Sequence, residues 1–206
     1  MSKTSNVKKP AAVAGAAPCS ALTSRQIEIK QLEIAIQALA RVREKAPNVE
    51  LHLYGGGGGA SAIDDLSRLA ASLGLNGAVK FCGSVPLHEI PQIIANADLG
   101  IVPKRADSFG NEACSTKIME FMSQGVPVVV SRTKIDTYYH NDQNVRFFTS
   151  GDSQAMAEAI LDVIENPALR ASLIDAGLKY VEQNSWDQKK NEYLALVDSL
   201  TTEVFD

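Results

Sequence analysis

Two carboxylates, Glu112 and Glu120, stand eight residues apart in the segment FGNEACSTKIMEFMSQG. Glu112 closes a loop that leaves the strand-like run DLGIVP (98–103). Glu120 lies inside a helix predicted from Thr116 to Gln124, which Gly125 stops. Between the two, Cys114, Ser115, Thr116 and Lys117 occupy the start of that helix. The first N–H groups of a helix lack an intrahelical partner and carry the positive end of the dipole, so this stretch attracts a phosphate, and Lys117 adds a cation. A carboxylate on each side of an anion site needs its own partner. Hydroxyls of a sugar and of a ribose would serve, because a carboxylate accepts two hydrogen bonds well. The pattern alone leaves two readings open: a sugar–nucleotide clamp, or a dipole-stabilising Glu112 beside a solvated Glu120. Cys114 sits at a helix start, where a thiolate is favoured, but no base accompanies it for nucleophilic work.

The elements that must position these residues alternate along the chain. Leu32, Ala35, Ile36, Leu39 and Val42 recur at helical spacing and predict a helix over 30–45. VELHLY (49–54) predicts a strand, Gly55 to Gly59 a loop, and Ser61 with Asp64 a capping box opening a helix to Leu73. VKFC (79–82) is a second strand, followed by a helical stripe of Leu87, Ile90, Ile93, Ile94 and Ala97. DLGIVP is a third strand. VPVVVS (126–131), rich in β-branched residues, suits a strand covered on both faces, and VRFF (145–148) is a fifth. Three helices close the chain. Asp152 or Ser153 caps the first, Asn166-Pro167 separates it from the second, and Ser185 caps the third, which carries Trp186, Tyr193, Val197 and Leu200 on one face. This alternation predicts an α/β fold, a Rossmann-like parallel sheet with helices on both faces and a helical C-terminal extension. Ligands of such sheets sit at the carboxyl ends of the strands, which points to loops 55–60, 83–87, 103–115 and 131–144.

Several function classes lose support. The net charge is −4 and aromatics make up 6% of residues, so nucleic-acid binding has neither the basic surface nor the stacking platforms it needs. The longest charge-free stretch, Pro10 to Ser24, is too short to span a bilayer. Residues 1–25 are expected to be a disordered or non-native leader rather than a secretory signal, with the folded domain over 26–206. Three widely spaced cysteines, Cys19, Cys82 and Cys114, fit a reducing, cytoplasmic compartment better than a disulfide scaffold. His52, His88 and His140 are widely separated and expected on the surface or in packing. With no HxxxH or DxD sequence, no metal site is predicted. Gly55, Gly57 and Ala60 match GxGxxA, yet the strand VKFCG offers no acid for a ribose, so a dinucleotide cofactor is disfavoured. A flexible loop and a ligand-contacting loop both remain open there.

The segment FGNEACSTKIMEFMSQGVPVVVS (109–131) resembles the donor-site segment of family 4 glycosyltransferases, which have the GT-B fold: a glutamate, seven residues, a second glutamate, a small-residue turn and a hydrophobic strand. PNVELHLYG (47–55), LGLNGAVKFCGSVP (73–86), IANADLGIVP (94–103) and NSWDQKKNEYLALVDSL (184–200) are similar to the same family in order and spacing. The resemblance covers roughly residues 30–200 and implies the C-terminal, donor-binding half, with the acceptor-binding N-terminal half absent from the chain.

The resemblance implies a retaining transfer of a hexosyl group from a nucleoside diphosphate sugar to a hydroxyl of a glycan or lipid acceptor. It assigns Glu112 to the donor sugar as the catalytic-site glutamate and Glu120 to the ribose. The backbone around Cys114, Ser115 and Thr116, with Lys117, falls to the diphosphate. Arg25 and Lys30 match the spacing of a further diphosphate-neutralising pair, though Ser24 and Gln31 replace the glycines of that motif. No cofactor beyond the donor substrate is implied, and a peripheral membrane association is compatible with it. The alternatives are a non-catalytic sugar-nucleotide-binding subunit or fragment, and a sugar-nucleotide epimerase of the same fold.

Overall fold

A computed structural model describes residues 21–22, 29–55 and 59–202. Six parallel strands form two groups of three. β1 (Ala21–Leu22), β2 (Leu51–Tyr54) and β3 (Val79–Gly83) pair in that order, and so do β4 (Gly100–Val102), β5 (Val128–Arg132) and β6 (Arg146–Thr149). β1 lies beside β4. The order across the whole is therefore 3-2-1-4-5-6, with the chain winding outward in both directions from the β1–β4 border. In such a sheet the crevice outside the carboxyl ends of the two border strands is where ligands bind.

Burial along β5 explains the two helical layers. Val128, Val129 and Val130 are fully buried, but they alternate between faces. Val129 packs in one cluster with Ile36, Leu39 and Val42 of α1 (Ile29–Lys45), Leu66 of α2 (Gly59–Ser72), and Met156 and Ile160 of α6 (Ser153–Glu165). Val128 and Val130 pack in the other with Ile94 of α3 (Ile90–Ala95) and Ile118, Phe121 and Met122 of α4 (Thr116–Ser123). α4 sits very close to the sheet. A Cβ on Gly100 of β4 would lie 2.5 Å from the Phe121 ring, so only glycine admits that ring there. α7 (Pro167–Gln183) covers α4 in turn, with Gly177 against Met122.

Of the two expected caps, Asp152 is the one used, its side chain accepting from Gln154 and Ala155 N–H, and Asn166, expected as a separator between helices, also caps α7 by accepting the Leu169 N–H. Three details differ from the sequence expectations. α2 begins at Gly59, ahead of the expected Ser61 cap. The stripe over 87–97 is a short 3-10 turn at Leu87–Glu89 followed by α3. Pro91 lacks an N–H and is confined to a first turn, so the helix starts beside it and Leu87 stays 85% exposed. Residues 131–144, expected as a loop, contain α5 (Lys134–Tyr139), capped by the Thr133 hydroxyl. α8 (Trp186–Thr202) carries Trp186, Tyr193, Val197 and Leu200 as expected, and all four are exposed.

The expected leader, residues 1–25, lies outside the described residues except for Ala21 and Leu22. Those two pair with Leu53 and Tyr54, so the folded unit reaches back beyond the expected boundary at residue 26. Among the described residues no helix is long and apolar enough to cross a membrane.

Candidate functional site

The loop after β4 is built to a defined shape before it reaches α4. A Cβ on Gly110 would lie 1.8 Å from the Arg105 carbonyl oxygen, so the chain can fold this tightly only through glycine. Asp107 Oδ1 accepts the Gly110 N–H at 2.7 Å, and the Phe109 carbonyl accepts the Ala113 N–H at 2.9 Å. The Gly110 N–H, with the Arg105 guanidinium beside it, holds the Asp107 carboxyl below the usual range.

Beneath the loop lies a buried polar cluster. The backbone N–H of Lys104 donates to Ser131 Oγ at 2.7 Å, and its carbonyl accepts from Ser150 Oγ at 2.7 Å. Its ammonium donates to Asp136 Oδ2 at 2.7 Å and to the Ala113 carbonyl at 2.6 Å. Asp136, in the first turn of α5, is fully buried, and its Oδ2 also accepts from Thr133 Oγ1 at 2.6 Å. Its Oδ1 is buried and takes no hydrogen bond. His140 follows on the same element, with its ring 4.9 Å from that of Tyr180. Burial pushes the His140 imidazole pKa down, against the pull of Asp136.

The start of α4 is open. Ser115 is its N-cap in an extended conformation, but its hydroxyl makes no capping bond. Among the described residues, no hydrogen bond engages the backbone N–H of Cys114, Ser115 or Thr116. Thr116 Oγ1 donates instead to Glu120 Oε1 at 3.0 Å, one turn on. Lys117 is half-buried, and that burial lowers its ammonium pKa while Glu120 works the other way. An anion placed here would meet unpartnered N–H donors and a partly desolvated cation.

The site residues read from the sequence fare unevenly. Cys114, Ser115, Thr116, Lys117 and Glu120 gather at the start of α4. Glu112 lies just before them on the surface, where its carboxylate pairs with Lys134 Nζ of α5 at 3.2 Å. Arg25 lies outside the described residues, and Lys30 is the second residue of α1. Gln31, the next residue, is placed to bridge the Pro103 carbonyl and the Arg105 N–H, which ties the start of α1 to the loop after β4. The thiolate favoured at Cys114 is corrected: desolvation, with Asp136 nearby, pushes the thiol pKa up rather than down. Among the described residues no group of three or more His, Cys, Asp and Glu side chains could share a metal ion.

Sequence reasoning missed Lys104, Ser131, Thr133, Asp136 and Ser150. The strand-end rule pointed to the loops that hold most of them. Their pairing spans up to 46 residues of chain, which no local spacing reveals.

Comparisons with known proteins fit this geometry. A family model described as "Glycosyl transferases group 1" matches residues 19–166. The lipopolysaccharide core biosynthesis glycosyltransferase LpsE of Rhizobium meliloti (strain 1021) is 30% identical over 185 residues, covering 89% of this chain and 50% of LpsE. The structure of Anabaena Alr3699/HepE in complex with UDP and glucose is 25% identical with a TM-score of 0.76, over 88% of this chain and 48% of that one. The C-terminal domain of the group 1 glycosyl transferase LpcC from Francisella tularensis is 18% identical with a TM-score of 0.69, over 81% of this chain and 85% of that domain. The chain thus spans about half the length of the full relatives it matches. It belongs to the group 1 glycosyl transferases of GT-B fold and corresponds to their C-terminal half.

Proposed function

We propose that this chain is the nucleotide-sugar-binding half of a retaining glycosyltransferase. The observation that carries the reading is the start of α4, where three consecutive backbone N–H groups at Cys114, Ser115 and Thr116 have no partner among the described residues. Lys117 stands beside them and Glu120 one turn beyond. A nucleoside diphosphate matches that set: phosphate oxygens for the amides and Lys117, ribose hydroxyls for Glu120. Glu112, at the end of the loop, would accept from hydroxyls of the hexose. The complex of HepE with UDP and glucose supports the same ligand class for this half of the fold.

In the reaction, the bond between the anomeric carbon and the diphosphate oxygen breaks, and a bond from an acceptor hydroxyl oxygen forms on the same face of the sugar. The acceptor O–H bond breaks and its proton passes to the departing diphosphate oxygen, and the nucleoside diphosphate leaves with the electron pair of the anomeric bond. Charge grows on the diphosphate as the bond breaks. Fixed N–H donors at α4 stabilise that charge without reorganising. The test is calorimetric titration of the folded chain with UDP, GDP and their sugars, beside Glu120→Ala. Binding that Glu120→Ala lowers by about tenfold or more supports the ribose contact. Unchanged affinity removes it.

A further inference from the structure

Lys104 is the most heavily tied residue of the buried cluster, and its bonds point at the site rather than away from it. Its side chain is 12% exposed, that of Asp136 not at all. Its main chain is clamped on both sides, N–H to Ser131 and carbonyl to Ser150. Its ammonium then reaches the Ala113 carbonyl at 2.6 Å, nine residues along the loop. That carbonyl belongs to the peptide unit whose other end is the Cys114 N–H.

A trans peptide unit is planar, with its C=O and N–H pointing in opposite directions. Cis peptide bonds are absent among the described residues. Fixing the Ala113 carbonyl on a buried ammonium therefore fixes the Cys114 N–H on the opposite, outward side. A positive charge on the carbonyl also polarises the unit and makes its N–H a better donor. We propose that Lys104, locked by Asp136, is a positioning residue that aims the Cys114 N–H at an anion bound at the start of α4. This rests on the reading of that site as a diphosphate site. Lys104 makes no direct contact with the ligand in this account. Asp136 neutralises the buried ammonium and fixes its direction, and Thr133 fixes Asp136.

The test separates positioning from direct contact by measuring the chain without nucleotide. Backbone 15N order parameters of Ala113, Cys114 and Ser115 in the wild type are expected near the rigid value of about 0.85. In Lys104→Met they should fall below about 0.6, with those of β5 unchanged. UDP affinity should fall about tenfold in the same variant. Unchanged order parameters overturn the proposal. If UDP binding weakens in that case, Lys104 touches the ligand directly. Lowered order parameters in a chain whose wild type binds no UDP leave the positioning relationship standing and remove the diphosphate reading. If Lys104→Met does not fold, Asp136→Asn carries the test. It keeps the shape and an acceptor but removes the charge that holds the ammonium. Unchanged order parameters at Ala113 to Ser115 there overturn the proposal as well.

Discussion

Glu112 and Lys134 meet at 3.2 Å where the loop after β4 crosses the first turn of α5. One residue earlier, Asn111 Oδ1 accepts the Lys134 backbone N–H at 2.9 Å. The two bonds have different weights. Asn111 satisfies a helix-start donor and docks the loop on α5. The ion pair is exposed on both sides, 77% for Lys134 and 68% for Glu112, so water screens it. A carboxylate held this loosely can exchange its partner for sugar hydroxyls.

Lys134→Ala is therefore expected to leave the thermal midpoint within about 4 °C of wild type, the span of a surface pair worth at most about 1 kcal/mol in a chain this size. UDP-glucose binding should be unchanged or tighter, since Glu112 no longer has a competing cation. A weaker UDP-glucose affinity in a stable Lys134→Ala chain would mean that Lys134 itself contacts the donor.

Gly100→Ala tests how tightly α4 is seated. The added methyl would lie 2.5 Å from the Phe121 ring, which is fully buried in the core. The expected cost is about 1–3 kcal/mol in urea unfolding, typical of overpacking a dense core. Phe121→Leu in the same chain should recover part of it, since a smaller side chain makes room for the methyl. If the double variant is as unstable as the sum of the two singles, the clash is not at Phe121.

The spacing of Glu112 and Glu120 across a helix start was legible because capping and period are local properties. The same is true of the β-branched run in β5, of the Asp152 cap and of the break between α6 and α7 at Asn166-Pro167. What could not be read was long-range. Lys104 and Asp136 are 32 residues apart, and each looks like an ordinary surface charge until the strand order places both under one loop. α5 escaped notice because its six residues, KIDTYY, carry no apolar stripe and depend on the Thr133 cap. Periodicity put Trp186, Tyr193, Val197 and Leu200 on one face of α8, but periodicity reports amphipathicity, not whether anything lies against the face, and the four are exposed.

Asp152→Ala should cost about 1 kcal/mol, the usual value of an N-cap. Asp152 Oδ1 accepts the N–H groups of Gln154 at 2.9 Å and Ala155 at 3.0 Å, and α6 then buries Met156 and Ile160 in the core. Asp152→Asn keeps an acceptor in place and should lose less than half as much. Equal losses in the two variants would show that charge at the helix start, rather than the cap bonds, supplies the stability.

His140 makes stability depend on pH in a predictable direction. Burial lowers its folded pKa below the unfolded value of about 6.5, while Asp136 raises it and Lys104 lowers it further. The unfolded chain then binds more protons over the interval between the two values, so stability rises with pH across it. The contribution is whole above about pH 6.5 and is lost as the pH falls toward the folded value. His140→Phe keeps a ring against Tyr180 and removes Nδ1, which is buried without a partner. Urea midpoints at about pH 7.5 and 5.5 should therefore differ more in the wild type than in His140→Phe, with carboxylate titration common to both chains and cancelling in the comparison. Equal differences would place the acid sensitivity elsewhere, on the carboxylates alone.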